Sequence, residues 1–311
     1  MALSGAYGPT DEDEAVRVIH AYLDAGGTLL DTGDFYRSGH NELLIRRALH
    51  ERKREDVVLS VKFGALAGPD GVPTGYDCRP QAVRNFLAYT LQRLGTDHVD
   101  IYRPARLDPS VPIEETVGAI AELVEKGYVR HIGLSEVGPA TIRRAAEVAP
   151  ISDLQIEYSV LERNIEDEIL PTCRDLGIGI TAYGVLARGL IGGSGALTGF
   201  RTATPRFQGA AREHNQALVA RLEELAKAKS ATIAQLAMAW VAAQGADIVP
   251  LVGARRPDQV AGLVGSTRIT FTAEELAQID RLIPRGAVRG DRYPAQHMAD
   301  LDSERRPQDE R

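Results

Sequence analysis

VRHIGLSEVGPATIRRAAEVAPISDLQIEYSVLERNIEDEILPTCRDLGIGITAYG, residues 129–184, holds three short apolar runs: VRHIGLS (129–135), LQIEY (154–158) and GIGITAYG (177–184). Longer stretches separate them, enough for a helix between each pair. The same alternation continues outward, through TLLD (28–31), VVLSVKFG (57–64) and VDIY (99–102) on one side and DIVPLVG (247–253) on the other. Between runs, apolar residues recur at helical spacing, as in Val83, Phe86, Leu87, Leu91 and Leu94, or Ile233, Leu236, Ala237, Trp240 and Val241. Strands that are apolar at nearly every residue are buried on both faces, as in a parallel sheet covered by helices. Seven such units come close to a (β/α)8 TIM barrel. We therefore read residues 1–284 as one barrel domain and 285–311, polar and charged, as a loosely held C-terminal tail.

Composition narrows the function. With 36 basic and 43 acidic residues the chain carries a net charge of −7, so it lacks the cationic surplus that draws nucleic acid or an anionic membrane. The most apolar stretch, 231–254, is interrupted by Gln235, Gln244, Asp247 and Pro250, which speaks against a membrane span. Cys78 and Cys173 show neither disulfide nor zinc-site spacing and suit a reducing cytoplasm. The histidines show no metal-ligand spacing, and no Rossmann glycine pattern or P-loop is present. Thr10 ahead of Asp11–Glu14 reads as a helix N-cap, and Thr272 with Glu275 as a capping box. The strand-poor interval 186–212 reads as a long loop at the C-terminal face of the barrel, where active sites lie.

On that face the first two visible strands deliver Asp31 and Lys62, and Tyr36 follows Asp31 by a short loop. A cation beside a phenol stabilises the phenolate, so Lys62 is expected to lower the pKa of Tyr36, with Asp31 holding Lys62 charged and oriented. The trio would make a general acid able to protonate an alkoxide forming on a carbonyl carbon. Spacing alone leaves open an ordinary ion pair beside a surface tyrosine.

GGTLLDTGDFYRSGHNELLIRRAL, VVLSVKFG, LGTDHVDIYRPARLDPSVPIEET, KGYVRHIGLSE, LQIEYSVLER and GITAYGVLARGLIGG, taken in order, resemble the aldo-keto reductase superfamily across nearly the whole chain. The resemblance implies a TIM barrel, NADPH as hydride donor, a small-molecule carbonyl substrate and a catalytic Asp, Tyr, Lys and His. Asp31, Tyr36 and Lys62 stand at the first three positions. It further implies that Ser135 and Gln155 hold the nicotinamide carboxamide and that Tyr183 stacks on the ring. Gly184, Leu186, Arg188 and Gly189 would line the pyrophosphate, where small residues admit backbone donors. Gly253, Arg255, Arg256 and Gln259 would meet the adenosine 2′-phosphate, and arginines there favour NADPH over NADH.

Several positions depart from the family pattern. Ala105 stands where the histidine is common, so carbonyl polarisation would fall to Tyr36 alone or to Arg103 or Arg106. A small residue followed by Arg and Asp-Pro is similar to the pyridoxal reductase branch, which makes pyridoxal a candidate substrate. Glu136 replaces a frequent asparagine, and Gly262-Leu263 replaces a frequent Glu-Asn pair at the adenine. Relative to the family pattern, Met1 is expected to fall at the end of strand one, after the N-terminal hairpin and most of that strand, so that either the true start lies upstream, the chain is truncated, or another element closes the gap. A barrel open there would expose sheet edges and be less stable or prone to associate. The leading expectation is NADPH-dependent reduction of an aldehyde or ketone. The alternative, suggested by Ala105, is a nicotinamide-binding regulatory or sensor protein with little turnover. A Schiff-base aldolase using Lys62 is disfavoured because Asp31 would keep the amine protonated.

Overall fold

The computed structural model describes residues 3, 11–193 and 199–305. In chain order the elements are α1 (Glu12–Asp24), β1 (Leu29–Gly33), α2 (His40–Leu49), β2 (Val58–Phe63), β3 (Ala65–Ala67), β4 (Pro73–Tyr76), α3 (Pro80–Leu94), β5 (Val99–Pro104), α4 (Ile113–Glu125) and β6 (Val129–Ser135). They continue with α5 (Pro139–Val148), β7 (Ile151–Glu157), α6 (Ile169–Asp175), β8 (Gly179–Tyr183), α7 (Gly209–Ala228), α8 (Ile233–Ala242), β9 (Ile248–Pro250), α9 (Pro257–Val264), α10 (Ala273–Leu282) and α11 (Ala295–Ala299).

Seven strands form one parallel sheet in the order β1-β2-β5-β6-β7-β8-β9, each joined to the next by helical crossovers. This is the (β/α)8 architecture expected, with seven of its strands among the described residues. The helices line the outside and bury one face each: α3 buries Val83, Leu87, Thr90 and Leu94, and α8 buries Leu236, Ala237, Trp240 and Val241. Helix α1 packs on α9, which brings the first and last units together. Leu3, itself buried, donates its N–H to Asn41 Oδ1 at 3.0 Å, and Asn41 donates to Thr32 Oγ1 of β1 at 2.8 Å.

Two local expectations change. The N-cap of α1 is Asp11, whose carboxylate accepts from the Glu14 N–H at 2.8 Å; Thr10 lies outside the described residues. The hairpin β3–β4 projects beyond the C-terminal end of β2, a segment with no strand signal in the alternation. The Thr272–Glu275 capping box forms as read.

The larger correction concerns the chain after residue 284. Residues 285–305 are no loose tail: Arg292 is 3% exposed and Leu301 1%, and the segment crosses the C-terminal mouth of the barrel. The physical reason is pairing. Its polar residues find buried charged partners at the strand ends, so polarity does not keep them in water. Residues 306–311 lie outside the described set.

Candidate active site

The parallel register sets the site. Asp31 lies opposite Ser60, and Gly33 opposite Lys62, so both charged side chains rise from neighbouring strands toward one rim. Lys62 Nζ donates to Asp31 Oδ2 at 2.6 Å, while Ser60 Oγ and Gln155 Nε2 donate to Asp31 Oδ1 at 3.0 and 2.7 Å. Below them Arg103 donates to Ser60 Oγ and to Asp153 Oδ2, both at 2.8 Å, and Thr181 donates to Asp153 Oδ2 at 2.6 Å. A polar ladder therefore runs through the barrel interior, from β8 through β7, β5 and β2 to β1. Gly133 is required beside it: a Cβ there would lie 2.6 Å from Asp153 Oδ1. Burial opposes ionisation of Asp31, but Lys62 and Arg103 outweigh it and hold the carboxyl at about 2. For Lys62 burial outweighs Asp31, and its pKa is lowered.

Tyr36 sits in the turn after β1, which is anchored by Asp34 N–H to Lys62 O at 2.9 Å and Tyr36 N–H to Gly33 O at 3.0 Å. Lys62 Nζ lies 5.2 Å from the centre of the Tyr36 ring. The trio thus converges. Its electrostatics, however, run against the sequence expectation: burial and then Asp31 push the Tyr36 pKa up, with only Arg106 pulling it down. Lys62 spends its charge on Asp31 and does not make a phenolate. Neighbouring Asp34 is a buried carboxyl, and burial together with Glu42 outweighs Arg93 and raises it to about 7.

At the histidine position, Ala105 is buried and its N–H donates to Phe63 O at 2.8 Å. Arg103 is excluded as its substitute, because it is wholly buried in the ladder. Arg106 faces the mouth. It donates to Ala105 O at 2.6 Å and to the Tyr293 hydroxyl at 3.4 Å.

The residues expected at a cofactor line the same face. Ser135 ends β6, Gln155 lies on β7 opposite it, and Tyr183 ends β8 opposite Glu157. Gly184 takes φ +70°, and a Cβ there would lie 2.9 Å from Glu157 Cγ. The loop that follows differs from expectation. The N–H groups of Ala187, Gly189, Leu190 and Ile191 bond to carbonyls of Gly184, Leu186 and Ala187 within the loop itself, so these four are not held ready for phosphate. Arg188, at φ +54°, donates to Glu157 Oε2 at 2.6 Å and to the Arg292 carbonyl. At the far end Gly253 is open to solvent, Arg255 and Arg256 are exposed, and Gln259 Oε1 accepts the N–H groups of both arginines at the start of α9.

Sequence reasoning missed what joins these parts. Glu136 has φ +54°, sparsely populated outside glycine, and is fully buried. It takes a two-pronged ion pair from Arg292 at 2.9 and 2.5 Å, and accepts from Tyr183 Oη at 2.6 Å and Ser303 Oγ at 2.7 Å. Burial opposes this carboxylate too, but Arg292 holds its pKa well below the usual range. Because the Tyr183 hydroxyl already donates to Glu136, the Tyr293 hydroxyl, 2.9 Å away, is left to donate to Tyr183. The signal for this cluster was Gly290-Asp-Arg-Tyr-Pro294, an arginine and an aromatic between two turn formers in a stretch otherwise polar.

A family model described as the aldo/keto reductase family matches residues 1–284. The chain belongs to this family. It is therefore an oxidoreductase acting on carbonyl groups. It is 42% identical over 301 residues to the probable aldo-keto reductase 1 of Glycine max, covering 94% of this chain and 86% of that protein. Among solved structures it is similar to the glycerol dehydrogenase of Gluconobacter oxydans, with a TM-score of 0.84, 31% identity and coverage of 93% of this chain and 91% of that one. It is also similar to an aldo/keto reductase from Klebsiella pneumoniae in complex with NADP and acetate, with a TM-score of 0.72, 26% identity and coverage of 91% and 89%. No described helix is long and apolar enough to cross a membrane. Cys78 and Cys173 are buried free thiols, pushed up to about 12 mainly by burial.

Proposed function

We propose that the protein reduces a small aldehyde or ketone with NADPH, Tyr36 giving the proton that turns the carbonyl oxygen into a hydroxyl. The observation that carries this reading is the buried Asp31–Lys62 pair set beneath the Tyr36 ring at the mouth of the barrel. When bound, NADPH supplies the hydride. Ser135 and Gln155 would hold its carboxamide, Tyr183 its ring, the loop of Gly184, Leu186, Arg188 and Gly189 its pyrophosphate through the Arg188 guanidinium rather than through its internally bonded N–H groups, and Gly253, Arg255 and Gln259 its 2′-phosphate end. The open space at Gly253 and the exposed guanidinium of Arg255 suit a bulky dianion.

The raised pKa of Tyr36 keeps the phenol protonated at neutral pH, the form a general acid must start from. As negative charge develops on the substrate oxygen, Lys62 stabilises it through the ring and the proton moves from Tyr36 Oη to that oxygen. Asp31, fixed by Ser60 and Gln155, keeps Lys62 in place. Arg106 takes the part of the missing histidine, a donor at the carbonyl oxygen opposite Tyr36.

The test is a titration with NADPH and NADH followed by nucleotide fluorescence, then absorbance loss on a panel of carbonyls that includes pyridoxal. Turnover with NADPH that collapses in Tyr36→Phe supports the reading; absence of NADPH binding overturns it. Ala105 favours a second reading, a nicotinamide-binding regulator with little turnover. In that case NADPH binds, no carbonyl is consumed, and Tyr36→Phe behaves as wild type.

A further inference from the structure

Tyr183 and Arg188, which would meet the nicotinamide and the pyrophosphate, are engaged by the chain itself. Arg292 forks onto Glu136, next to Ser135; Tyr293 bonds Tyr183; and Arg188 bonds the Arg292 carbonyl while its guanidinium lies 4.1 Å from the centre of the Tyr293 ring. Downstream, Ser303 N–H donates to Glu136 O at 3.2 Å, and Gly138 N–H donates to Asp302 Oδ2 at 2.8 Å. The segment 290–305 is thus pinned at both ends across β6, β8 and the loop after β8.

What holds it is charge and hydrogen bonding. Between 285 and 305 the one buried hydrophobic side chain among the described residues is Leu301. A segment with little apolar burial opens locally at far lower cost than the barrel unfolds. Its ion pairs, once opened, are rehydrated rather than stranded, which lowers the cost further.

We infer that segment 290–305 is an intramolecular strap, latched by Arg292 on Glu136, that must release the mouth of the barrel before NADPH engages Ser135, Tyr183 and Arg188. The inference rests on the NADPH reading proposed above. Cofactor affinity is then reduced by the fraction of molecules in which the strap is open, and neutralising the latch raises that fraction.

Two measurements test it. Hydrogen exchange of the wild-type protein, read by mass spectrometry with and without NADPH, is expected to show residues 290–305 losing protection while the barrel strands gain it. Stopped-flow association of NADPH is expected to be faster by about tenfold in Glu136→Gln/Arg292→Met, where both charges are removed together so that neither is left buried alone. Protection gained by 290–305 on adding NADPH, with equal association rates, overturns the strap while the reductase reading stands. Failure of both proteins to bind NADPH overturns both together.

Discussion

Two buried networks of ion pairs meet at the mouth of this barrel, and they are built differently. The interior ladder of Thr181, Asp153, Arg103, Ser60, Asp31 and Lys62 is drawn entirely from strands of one sheet. The outer network of Glu136, Arg292, Ser303, Tyr183 and Tyr293 joins strand ends to a segment more than 100 residues further along the chain. A ladder bolted to strands cannot relax without breaking the sheet, so it serves preorganisation, in which charge is in position before reaction begins. A network closed by a crossing segment can open by moving that segment. On the reading proposed above, the chemistry belongs to the rigid network and access to the adjustable one.

The largest effect should come from the rigid side. Tyr36→Phe removes the proton donor proposed above and leaves the ladder intact; turnover should fall by about 10²–10⁴-fold with NADPH affinity little changed, as measured by steady-state kinetics beside a binding titration. A fall of less than about tenfold would separate Tyr36 from catalysis.

Next comes stability. Arg103→Met strands Asp153 inside the barrel and should cost about 3–5 kcal/mol in urea unfolding. Arg292→Met should cost distinctly less, because the strap can swing out and let water reach Glu136. Equal costs would erase the contrast between a rigid and an adjustable network.

The third effect depends on pH. Asp34 holds its proton in the folded chain up to about 7, against 3.8 for an ordinary aspartate. Unfolding between those values releases a proton, so this group makes stability fall as pH rises across that window. Asp31 has the opposite sign: depressed to about 2, its contribution is present above 3.8 and lost as pH falls through that range. Asp34→Asn should therefore raise the melting temperature relative to wild type more at about pH 8 than at about pH 5, and a pH-independent difference would show that Asp34 ionises normally. The smallest effect serves as a control. Thr272→Ala removes the N-cap of α10, far from either network, and should cost about 1 kcal/mol while leaving NADPH affinity unchanged.

Much of the site was legible along the chain. Parallel strands place their C-terminal ends on one face, which makes the convergence of Asp31, Tyr36 and Lys62 legible; register places the first and last so, and the turn after β1 brings Tyr36 to them. The direction in which the Tyr36 pKa moves was not legible, because it depends on how deeply the ring is buried and on where Lys62 spends its charge. Arg103 and Arg106 could not be told apart by sequence three residues from each other. One turns into the barrel and the other to its mouth, a matter of strand parity and of where β5 ends after Pro104. Residues 285–305 were misread because a polar composition signals a solvated tail only when no buried counter-charge awaits it.

By itself the sequence determined the barrel, since the alternation of short apolar runs with helical spacing is local and each unit announces itself. It also determined which residues arrive at the C-terminal face, since strand direction follows from the same alternation. Only the tertiary structure decided the state of those residues. The pairing of Glu136 with Arg292 and the partial burial of Tyr36 arise between groups distant along the chain, and an interaction energy at a given separation and degree of desolvation has no local signature in sequence.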